Sequence, residues 1–466
     1  MAYPRSETAA RTVRADGTSA RFQPFFRRIE FYQRLMNGEF TRRSKQCNLK
    51  GARLQMRGGQ MSSSSAGKFR RIGTLATINR SRAESGVETT GATEAIEAEA
   101  VGADVVNASV SALQDHIARV RGGSGQMTDS DRALIETGRR AGEKLVAEGA
   151  TAHLSPSEEA ALEAIAVADG SRPALLLRDD TFDPHDATIG DWSKKLQGIS
   201  DALKAASQSV GRVNLGGEHL GTGWIVRPGY AVTNRHVAQE LCKNPQEKKL
   251  TFGPPKGATI SFGHQTGEAV PRPAHSIEAI VFAGEDYIDP FGDNKAKLDL
   301  AILRLARAPD EALPPPLPSF LLPAEQTVAG RDVFVIGYPG PAFPRSDLPE
   351  SVVLSLIGSA VSLKRLSPGE IALPAGTVAG DTKSRTIAHD ATTLGGSSGS
   401  AILGFDQAKK PLMLGLHFGG YEVKYGPGGV IKRRGRNFAH SFAAMQDVIA
   451  AVDAAIAKDR TEQKLA

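Results

Sequence analysis

The pattern of apolar and polar positions changes near residue 209. Residues 86–170 are rich in Ala and Glu, and their apolar positions recur at the spacing of one helix face. In "SPSEEAALEAIAVADG", Ser155 stands at an N-cap, Pro156 at the first helical position and Glu158 at the position that completes a capping box. The pattern therefore predicts a helical region in this part of the chain.

The sequence up to residue 208 predicts four further elements. A second helix is predicted over residues 128–148, and "RPALLLRDD" at 172–180 favours one strand. The acidic stretch 178–192 lacks the spacing of a calcium loop, so we expect an exposed loop. An amphipathic helix is predicted next, with an apolar stripe that we expect to pack into a core: Trp192, Leu196, Ile199, Leu203 and Ala206.

Beyond residue 209, short β-type runs alternate with Gly and Pro turns. The runs are "SVGRVNL", "GTGWIV", "YAVTN", "ATISF", "IEAIVFAG", "LDLAILRL", "DVFVIGYPG", "VVLSLIG", "GSAILG" and "LMLGLHFGG". Short strands of this kind predict an antiparallel sandwich or barrel. A last helix is predicted to pack on it through one apolar face: Met445, Val448, Ile449, Val452 and Ile456.

Charge separates a third region at the start of the chain. Residues 1–83 hold 18 Lys and Arg against 4 Asp and Glu, whereas the whole chain carries a net +6. We therefore predict a disordered basic tail over 1–85, a helical module over 86–208 and a β-rich domain over 209–457. A start of translation at Met61 or Met127 is an alternative interpretation of the tail. We expect no nucleic-acid partner except through this tail.

Cysteine and hydropathy patterns exclude several other classes. Two cysteines, Cys47 and Cys242, are too few for a disulfide framework. We see no secretory leader pattern and no apolar run long enough for a membrane helix, so we expect no membrane span and a cytoplasmic location. No zinc pattern and no phosphate-binding signature is present, so no metal and no cofactor are predicted.

Three residues of the β-rich region suggest a chemistry together. His236 follows the run "YAVTN", Asp299 interrupts the apolar "KLDLAILRL", and Ser398 lies in "GGSSGSAIL". Separately, they fit a strand-end histidine, a strand-edge charge and a flexible linker. Together, they supply what a serine nucleophile needs: an imidazole to take its proton and a carboxylate to orient the imidazole. We therefore predict them as catalytic residues.

The glycines around Ser398 support this interpretation. The oxyanion that forms on an attacked carbonyl needs preorganised N–H donors. We predict that the N–H groups of Gly396 and Ser398 form this oxyanion hole, and that Gly399 leaves room beside the nucleophile. On this view, the Gly/Ser stretch is the nucleophile loop.

These motifs resemble those of the trypsin-like (chymotrypsin-fold) serine proteases. "TNRHV", "LDLAILRL" and "GGSSGSAIL" are similar to the histidine, aspartate and serine motifs of that family, in a style like its bacterial glutamyl endopeptidase and heat-shock protease members. The resemblance covers about 209–455. It implies an all-β fold of two six-stranded barrels with a C-terminal helix, placed after the helical region. The digestive enzymes of that family carry an aspartate directly before the nucleophile. This chain departs from that pattern, because the matching position is Ser397.

The resemblance also implies a substrate pocket. Thr392 stands where trypsin-like specificity needs an aspartate, so a basic side chain at the cleavage site is not favoured. Thr393 and His417 match residues that bind a substrate carboxylate in glutamyl endopeptidases, as hydroxyl and imidazole donors can; His417 as a structural strand histidine is the alternative. The edge that pairs with an extended substrate would be formed by Phe418, Gly419 and Gly420.

The preferred function is thus a serine endopeptidase acting on a protein or peptide. Two alternatives stay open at this point. One is a catalytically silent module on a protease-like barrel, recruited to a protein partner by its N-terminal helices. The other is an esterase with the same triad, although the order of its residues and the barrel pattern oppose an α/β-hydrolase.

Overall fold

The computed structural model describes most of the chain beyond residue 102, and all the described residues belong to one compact unit. The described ranges are 103–148, 152, 154–254, 256–267, 272–289, 294–306, 312–317, 324–340, 356–357, 360–426 and 429–465. The predicted basic tail over 1–85 lies outside these residues. The predicted domain boundaries at 85, 208 and 457 stay predictions.

The N-terminal part is a bundle of α1 (Ala103–Arg121), α2 (Asp129–Glu148) and α3 (Pro156–Ala168). The predicted capping box is confirmed at α3, where the Ser155 side chain accepts from the Glu158 N–H and the Glu158 carboxylate accepts from the Ser155 N–H. The box satisfies two backbone donors that a helix start leaves open. The three helices share an apolar core that includes Leu113, Ile117 and Ile165.

The first barrel closes from six antiparallel strands in the order β3-β4-β5-β8-β7-β6. Its strands are β3 (Val210–Leu215), β4 (Glu218–Arg227), β5 (Tyr230–Thr233), β6 (Ala258–Ser261), β7 (Ala274–Ala283) and β8 (Ala301–Leu305). The prediction of a barrel is confirmed because β3 pairs with β6 and leaves no strand edge in the ring.

The second barrel closes in the order β9-β10-β11-β14-β13-β12. Its strands are β9 (Asp332–Gly337), β10 (Arg365–Leu373), β11 (Thr386–His389), β12 (Ala401–Phe405), β13 (Pro411–Gly426) and β14 (Gly429–Ser441). The run "VVLSLIG" is not one of them. Leu356 and Ile357 are helical and pack in the core of the helix bundle, so the strand prediction is wrong at these residues, and 352–355 and 358 lie outside the described residues.

The segment between bundle and barrels packs on the second barrel. It contains β1 (Leu175–Arg178), which pairs with β10, followed by β2 (Thr181–Phe182), α4 (Ser193–Gly198) and α5 (Ser200–Gln208). Four residues of the apolar stripe predicted here are buried and Ile199 is partly buried, but the helix is broken at Ile199. The last helix, α7 (Gln446–Leu465), buries its predicted apolar face in the same core.

A buried ion pair joins this segment to both barrels. The β1–β2 turn has positive φ at Asp179 and Asp180, as a tight hairpin of two residues requires. Asp180 is fully buried, which corrects the exposed loop expected there: its carboxylate accepts from Lys364 Nζ at 2.8 Å and contacts Arg272 at 2.7 Å. Burial is the largest influence and would raise the pKa of Asp180, but the charge and hydrogen bond of Lys364, together with hydrogen bonds from Ser207 and Arg272, lower the pKa. Lys364 also donates to the carbonyl of Phe262 in the first barrel, at 3.0 Å.

None of the helices in the described ranges has the length and apolar composition needed to cross a bilayer.

Candidate active site

His236 and Asp299 meet in the first barrel. His236 lies in the short helix α6 (Arg235–Gln239) directly after β5, and Asp299 lies two residues before β8. The Asp299 carboxylate accepts two hydrogen bonds, one from His236 Nδ1 at 2.6 Å and one from the backbone N–H of His236 at 2.9 Å. The Asp299 side chain is 2% exposed and the His236 side chain is 23% exposed. A proton on Nδ1 leaves Nε2 of His236 as the acceptor nitrogen of the ring.

Two side chains that sequence analysis missed fix the backbone of Asp299. Asn234 Nδ2 donates to the Asp299 carbonyl at 2.8 Å, and the Asp299 N–H donates to His440 Nε2 at 2.8 Å. Burial lowers the pKa of His440 to about 4, so this ring is neutral and carries its proton on Nδ1. Asn234 could have been suspected from its place in "TNRHV"; His440 follows a charged stretch without an apolar pattern.

The loop that carries Ser398 is bound to the first barrel through Thr222 of β4. The Thr222 N–H donates to the Ser398 carbonyl at 2.7 Å, and the Thr222 hydroxyl donates to the Gly396 carbonyl at 3.2 Å. The Thr233 hydroxyl, three residues before His236, donates in turn to the Thr222 carbonyl at 2.6 Å. These contacts bring the serine loop of the second barrel against the histidine segment of the first.

His236 and Ser398 do not form a hydrogen bond with each other in the described part of the chain. A nucleophile and its base are often farther apart without substrate than in the reacting complex. Gly221 lies between the histidine segment and the serine loop, where there is no room for a side chain. A Cβ at Gly221 would lie 2.8 Å from the side chain of Val237, the residue after His236, and 3.1 Å from the Ser398 carbonyl oxygen.

The loop that carries Ser398 leaves two backbone N–H donors without an acceptor among the residues described. Three other N–H groups of the loop have carbonyl acceptors: Ser397 donates to Leu394, Gly399 to His417 and Ser400 to Ser397. The N–H groups of Gly396 and Ser398, by contrast, find no acceptor within the described ranges. These two N–H groups lie two positions apart on the same loop and are able to donate to a bound oxygen atom.

Glycine is required at two positions of this loop. Gly396 has φ +85° and Gly399 has φ +88°, a backbone conformation that other residues rarely adopt. A Cβ at Gly399 would overlap the Thr222 carbonyl oxygen, and one at Gly396 would lie 2.6 Å from the Gly340 nitrogen. The loop therefore approaches β4 and the chain after β9 too closely for any side chain at these positions.

His417 lies on β13 beside a second buried histidine. His417 Nδ1 is 3.3 Å from His389 Nε2, and the rings meet edge to face. Burial lowers the pKa of His389 to about 4, so His389 is a neutral partner for the His417 ring. His389 is the last residue of β11.

The side chains of Thr392 and Thr393, which precede Ser398, make hydrogen bonds to different parts of the protein. The Thr393 hydroxyl donates to Asn437 Oδ1 at 2.7 Å, whereas the Thr392 hydroxyl donates to the Arg172 carbonyl at 2.7 Å. Asn437 is a further residue that sequence analysis missed; a Cβ at Gly420 would lie 2.7 Å from its Oδ1. Asn437 therefore connects Thr393 with the Gly420 region, and Thr392 faces the segment before β1.

Phe418, Gly419 and Gly420 lie beyond the end of β12. The pairing of β12 with β13 stops at Leu416, while β13 continues past it with two register shifts against β14. No named strand of the described chain covers the other edge of β13 at these three residues. The Phe418 ring packs against the His440 ring, with centroids 4.6 Å apart.

No group of three or more His, Cys, Asp or Glu side chains that could hold a metal ion occurs among the residues that the structure describes. Cys242 is a free thiol, and burial raises its pKa to about 11, so it is not a thiolate nucleophile near neutral pH.

Two closed six-stranded antiparallel barrels followed by a C-terminal helix define the fold of the chymotrypsin-like serine proteases. The chain belongs to the trypsin-like serine proteases. The family model "Trypsin-like peptidase domain" matches residues 221–410. A probable serine protease of Lysobacter enzymogenes is 33% identical over 321 residues, which cover 65% of this chain and 77% of that protein. The protein is thus a hydrolase of the serine protease type.

Proposed function

We propose that the protein is an endopeptidase in which His236, Asp299 and Ser398 form the catalytic triad. The observation that carries this proposal is the double hydrogen bond from His236 to the Asp299 carboxylate, with Nδ1 at 2.6 Å. It fixes the tautomer in which Nε2 can act as a base, because the carboxylate can only accept.

The reaction follows from the roles of these groups. Ser398 Oγ attacks the scissile carbonyl carbon while its proton moves to His236 Nε2. The carbonyl π electrons move to the oxygen, and this oxyanion accepts from the N–H groups of Gly396 and Ser398. The imidazolium, stabilised by Asp299, then protonates the departing amine as the C–N bond breaks. Water, deprotonated by His236, hydrolyses the resulting ester and restores the serine.

For specificity, we propose a preference for acidic side chains on the acyl side of the cleaved bond. His417 is almost fully buried, and its contact with the neutral His389 fixes the ring. Thr393 adds a hydroxyl that can rotate from Asn437 towards a substrate carboxylate. Thr392 supplies no negative charge for a basic side chain. Phe418, Gly419 and Gly420 provide the uncovered strand edge for the substrate backbone.

Ser398→Ala tests the triad. We expect this variant to keep its melting temperature and to lose peptide hydrolysis, and a peptidyl phosphonate should label wild type but not the variant. Activity in Ser398→Ala within about tenfold of wild type would contradict the assignment, since loss of a triad member leaves only the small rate gain from the oxyanion hole and from binding.

A peptide-library cleavage profile tests the specificity separately. Wild type should prefer Glu or Asp before the cut, and His417→Val should lower cleavage of these substrates at least about tenfold, since loss of one buried donor costs about 1–3 kcal/mol. Apolar substrates, cleaved by the same triad, are the internal control and should change little. Equal losses on all substrates, or no acidic preference in wild type, would assign His417 a structural role.

A further inference from the structure

Arg172 lies in the short segment between α3 and β1 and reaches the loop before the nucleophile. Its guanidinium donates from Nη2 to Asp390 Oδ2 at 2.5 Å, across 218 positions of the sequence. The Arg172 side chain is 10% exposed and the Asp390 side chain is 8% exposed. The pair is thus a nearly buried ion pair between the N-terminal part of the chain and the second barrel.

Asp390 begins the loop 390–397, which ends at the nucleophile. Its second oxygen accepts from the Glu370 N–H at 2.7 Å, so both carboxylate oxygens are bound. Asp390 is the one charged residue between His389 and Ser400 in the sequence. The ion pair with Arg172 is therefore the electrostatic attachment of this loop to the rest of the protein.

Arg172 makes a second contact with the same loop. Its backbone carbonyl accepts from the Thr392 hydroxyl at 2.7 Å, two residues after Asp390. The backbone of Arg172 is itself fixed, because its N–H donates to the Ala166 carbonyl in α3 at 2.7 Å. Arg172 thus contacts the side chains of two loop residues, Asp390 and Thr392, and its own backbone is bound to the helix bundle.

The helix bundle also touches the loop directly. Leu394, four residues before Ser398, is partly buried against the apolar core of the bundle, beside Leu356 and Ile357. Further along, the Gly395 carbonyl accepts from the Gly340 N–H at 2.5 Å, and the two open donors of Gly396 and Ser398 follow. The bundle side of the loop and the oxyanion side are therefore only two residues apart.

The charges of the pair depend on each other. Burial is the largest influence and would lower the pKa of Arg172, but the charge and hydrogen bond of Asp390, together with the charges of Glu370 and Asp332, raise the pKa. A carboxylate left almost without solvent and without its partner is strongly unfavourable. If Arg172 is removed, Asp390 gains hydration only by moving towards solvent, and the loop must move with it.

We propose that Arg172 is a positioning residue of the protease: through Asp390 and Thr392 it holds the loop 390–397 in the conformation that presents the N–H groups of Gly396 and Ser398. This inference rests on the proposed function, since it assigns to the N-terminal part of the chain control over the oxyanion hole of that site.

Full-length variants test the proposal by separating KM from kcat. If Arg172→Met lets the loop leave its competent conformation, substrate binds only to the competent fraction, and the apparent KM rises by the inverse of that fraction. We expect KM on the best library peptide to rise about tenfold or more, with kcat at saturation within about threefold of wild type, since bound substrate draws the loop back. Labelling by a peptidyl phosphonate should slow in parallel.

Three further variants separate positioning from stability. Arg172→Met combined with Asp390→Asn removes the unpaired charge, so its melting temperature should recover while KM stays raised. Arg172→Lys keeps a donor for Asp390 and should give an intermediate KM. The matched control is Arg304→Met, which breaks a partly buried ion pair with Asp459 at 2.8 Å that does not touch the loop; it should lower the melting temperature and leave KM unchanged.

Two results would overturn the proposal. One is an unchanged KM in Arg172→Met and in the double variant. The other is a double variant that recovers KM together with its melting temperature, which would give the pair a role in stability only. If Arg172→Met does not fold, the double variant and Arg172→Lys decide the outcome. An unlabelled wild type would instead overturn the proposed function, and with it this inference.

Discussion

Replacing Asp299 with Asn exchanges one oxygen atom for an NH2 group. The substitution tests the proposal that the Asp299 carboxylate fixes the tautomer of His236. In the structure, one oxygen of Asp299 accepts from the His236 N–H at 2.9 Å and the other from His236 Nδ1 at 2.6 Å. The backbone N–H can only donate, so the amide oxygen of the substituted side chain must stay on that side. The amide nitrogen then faces Nδ1 and donates to it, which places the imidazole proton on Nε2.

A His236 ring with its proton on Nε2 cannot take the proton of Ser398. The opposite amide orientation sets the amide nitrogen against the backbone N–H, which leaves a buried donor unpaired at a cost of about 1–3 kcal/mol. The same substitution in a chymotrypsin-type protease lowers kcat about 10⁴-fold with its geometry intact. We expect a loss of this order here, about 5 kcal/mol of transition-state stabilisation.

The assay compares kcat/KM on a fluorogenic peptide and the rate of phosphonate labelling between wild type and Asp299→Asn. The matched control is Asp453→Asn, which alters an ion pair with Arg227 at 2.9 Å on α7, away from the site. Circular dichroism and melting temperature should be near wild type for both variants. A loss below about tenfold in Asp299→Asn would refute the reasoning, because the tautomer would then not depend on this carboxylate.

Three further predictions concern the loop, the buried histidines and the core. Gly399→Ala places a Cβ against β4 at φ +88°, so we expect phosphonate labelling to fall and the melting temperature to drop. Burial lowers the pKa of His389 and His440 from 6.5 to about 4 and that of His219 to about 3, so below about pH 6.5 the unfolded chain binds more protons than the folded chain. The free energy of unfolding should therefore be at its full value above about pH 6.5 and fall as the pH approaches 4. The fall should be shallower in His389→Gln, which lacks one of these groups. Trp192→Ala removes a ring that packs on Phe334, with centroids 6.2 Å apart, and should cost about 3–5 kcal/mol in urea unfolding. Leu465→Ala, at a side chain that is 84% exposed, is its control and should cost nothing measurable.

Local patterns predicted much of the fold because they report on single elements. The capping box at Ser155 and the apolar face of α7 depend only on neighbours in the sequence, and both are confirmed. Strand β14 was missed because "VIKRRGRNFAHS" has many charges and no apolar alternation. Its pairing with β11 and β13 comes from barrel closure, which no window of the sequence contains.

The candidate site likewise combines residues that short motifs predict with residues that only the fold brings close. His236, Asp299 and Ser398 lie in short motifs that can be recognised separately, and their catalytic roles stay predictions. The contacts around these motifs come from distant parts of the chain: His440 is 141 residues from Asp299, and Asp390 is 218 residues from Arg172. Burial of Asp180 was not predictable for the same reason, since its partner Lys364 is 184 residues away.

The strand β1 imposes an order on synthesis of the protein. Its partner β10 comes late, as the contact between Ala174 and Arg365 across 191 residues illustrates. A ribosome must therefore complete the whole first barrel and part of the second before β1 can find its place. Contacts this distant in sequence form slowly, because a long loop must close before they are made. Ser398 and His440 are translated later still. A nascent chain that has completed only the first barrel thus contains His236 and Asp299 but not yet Ser398.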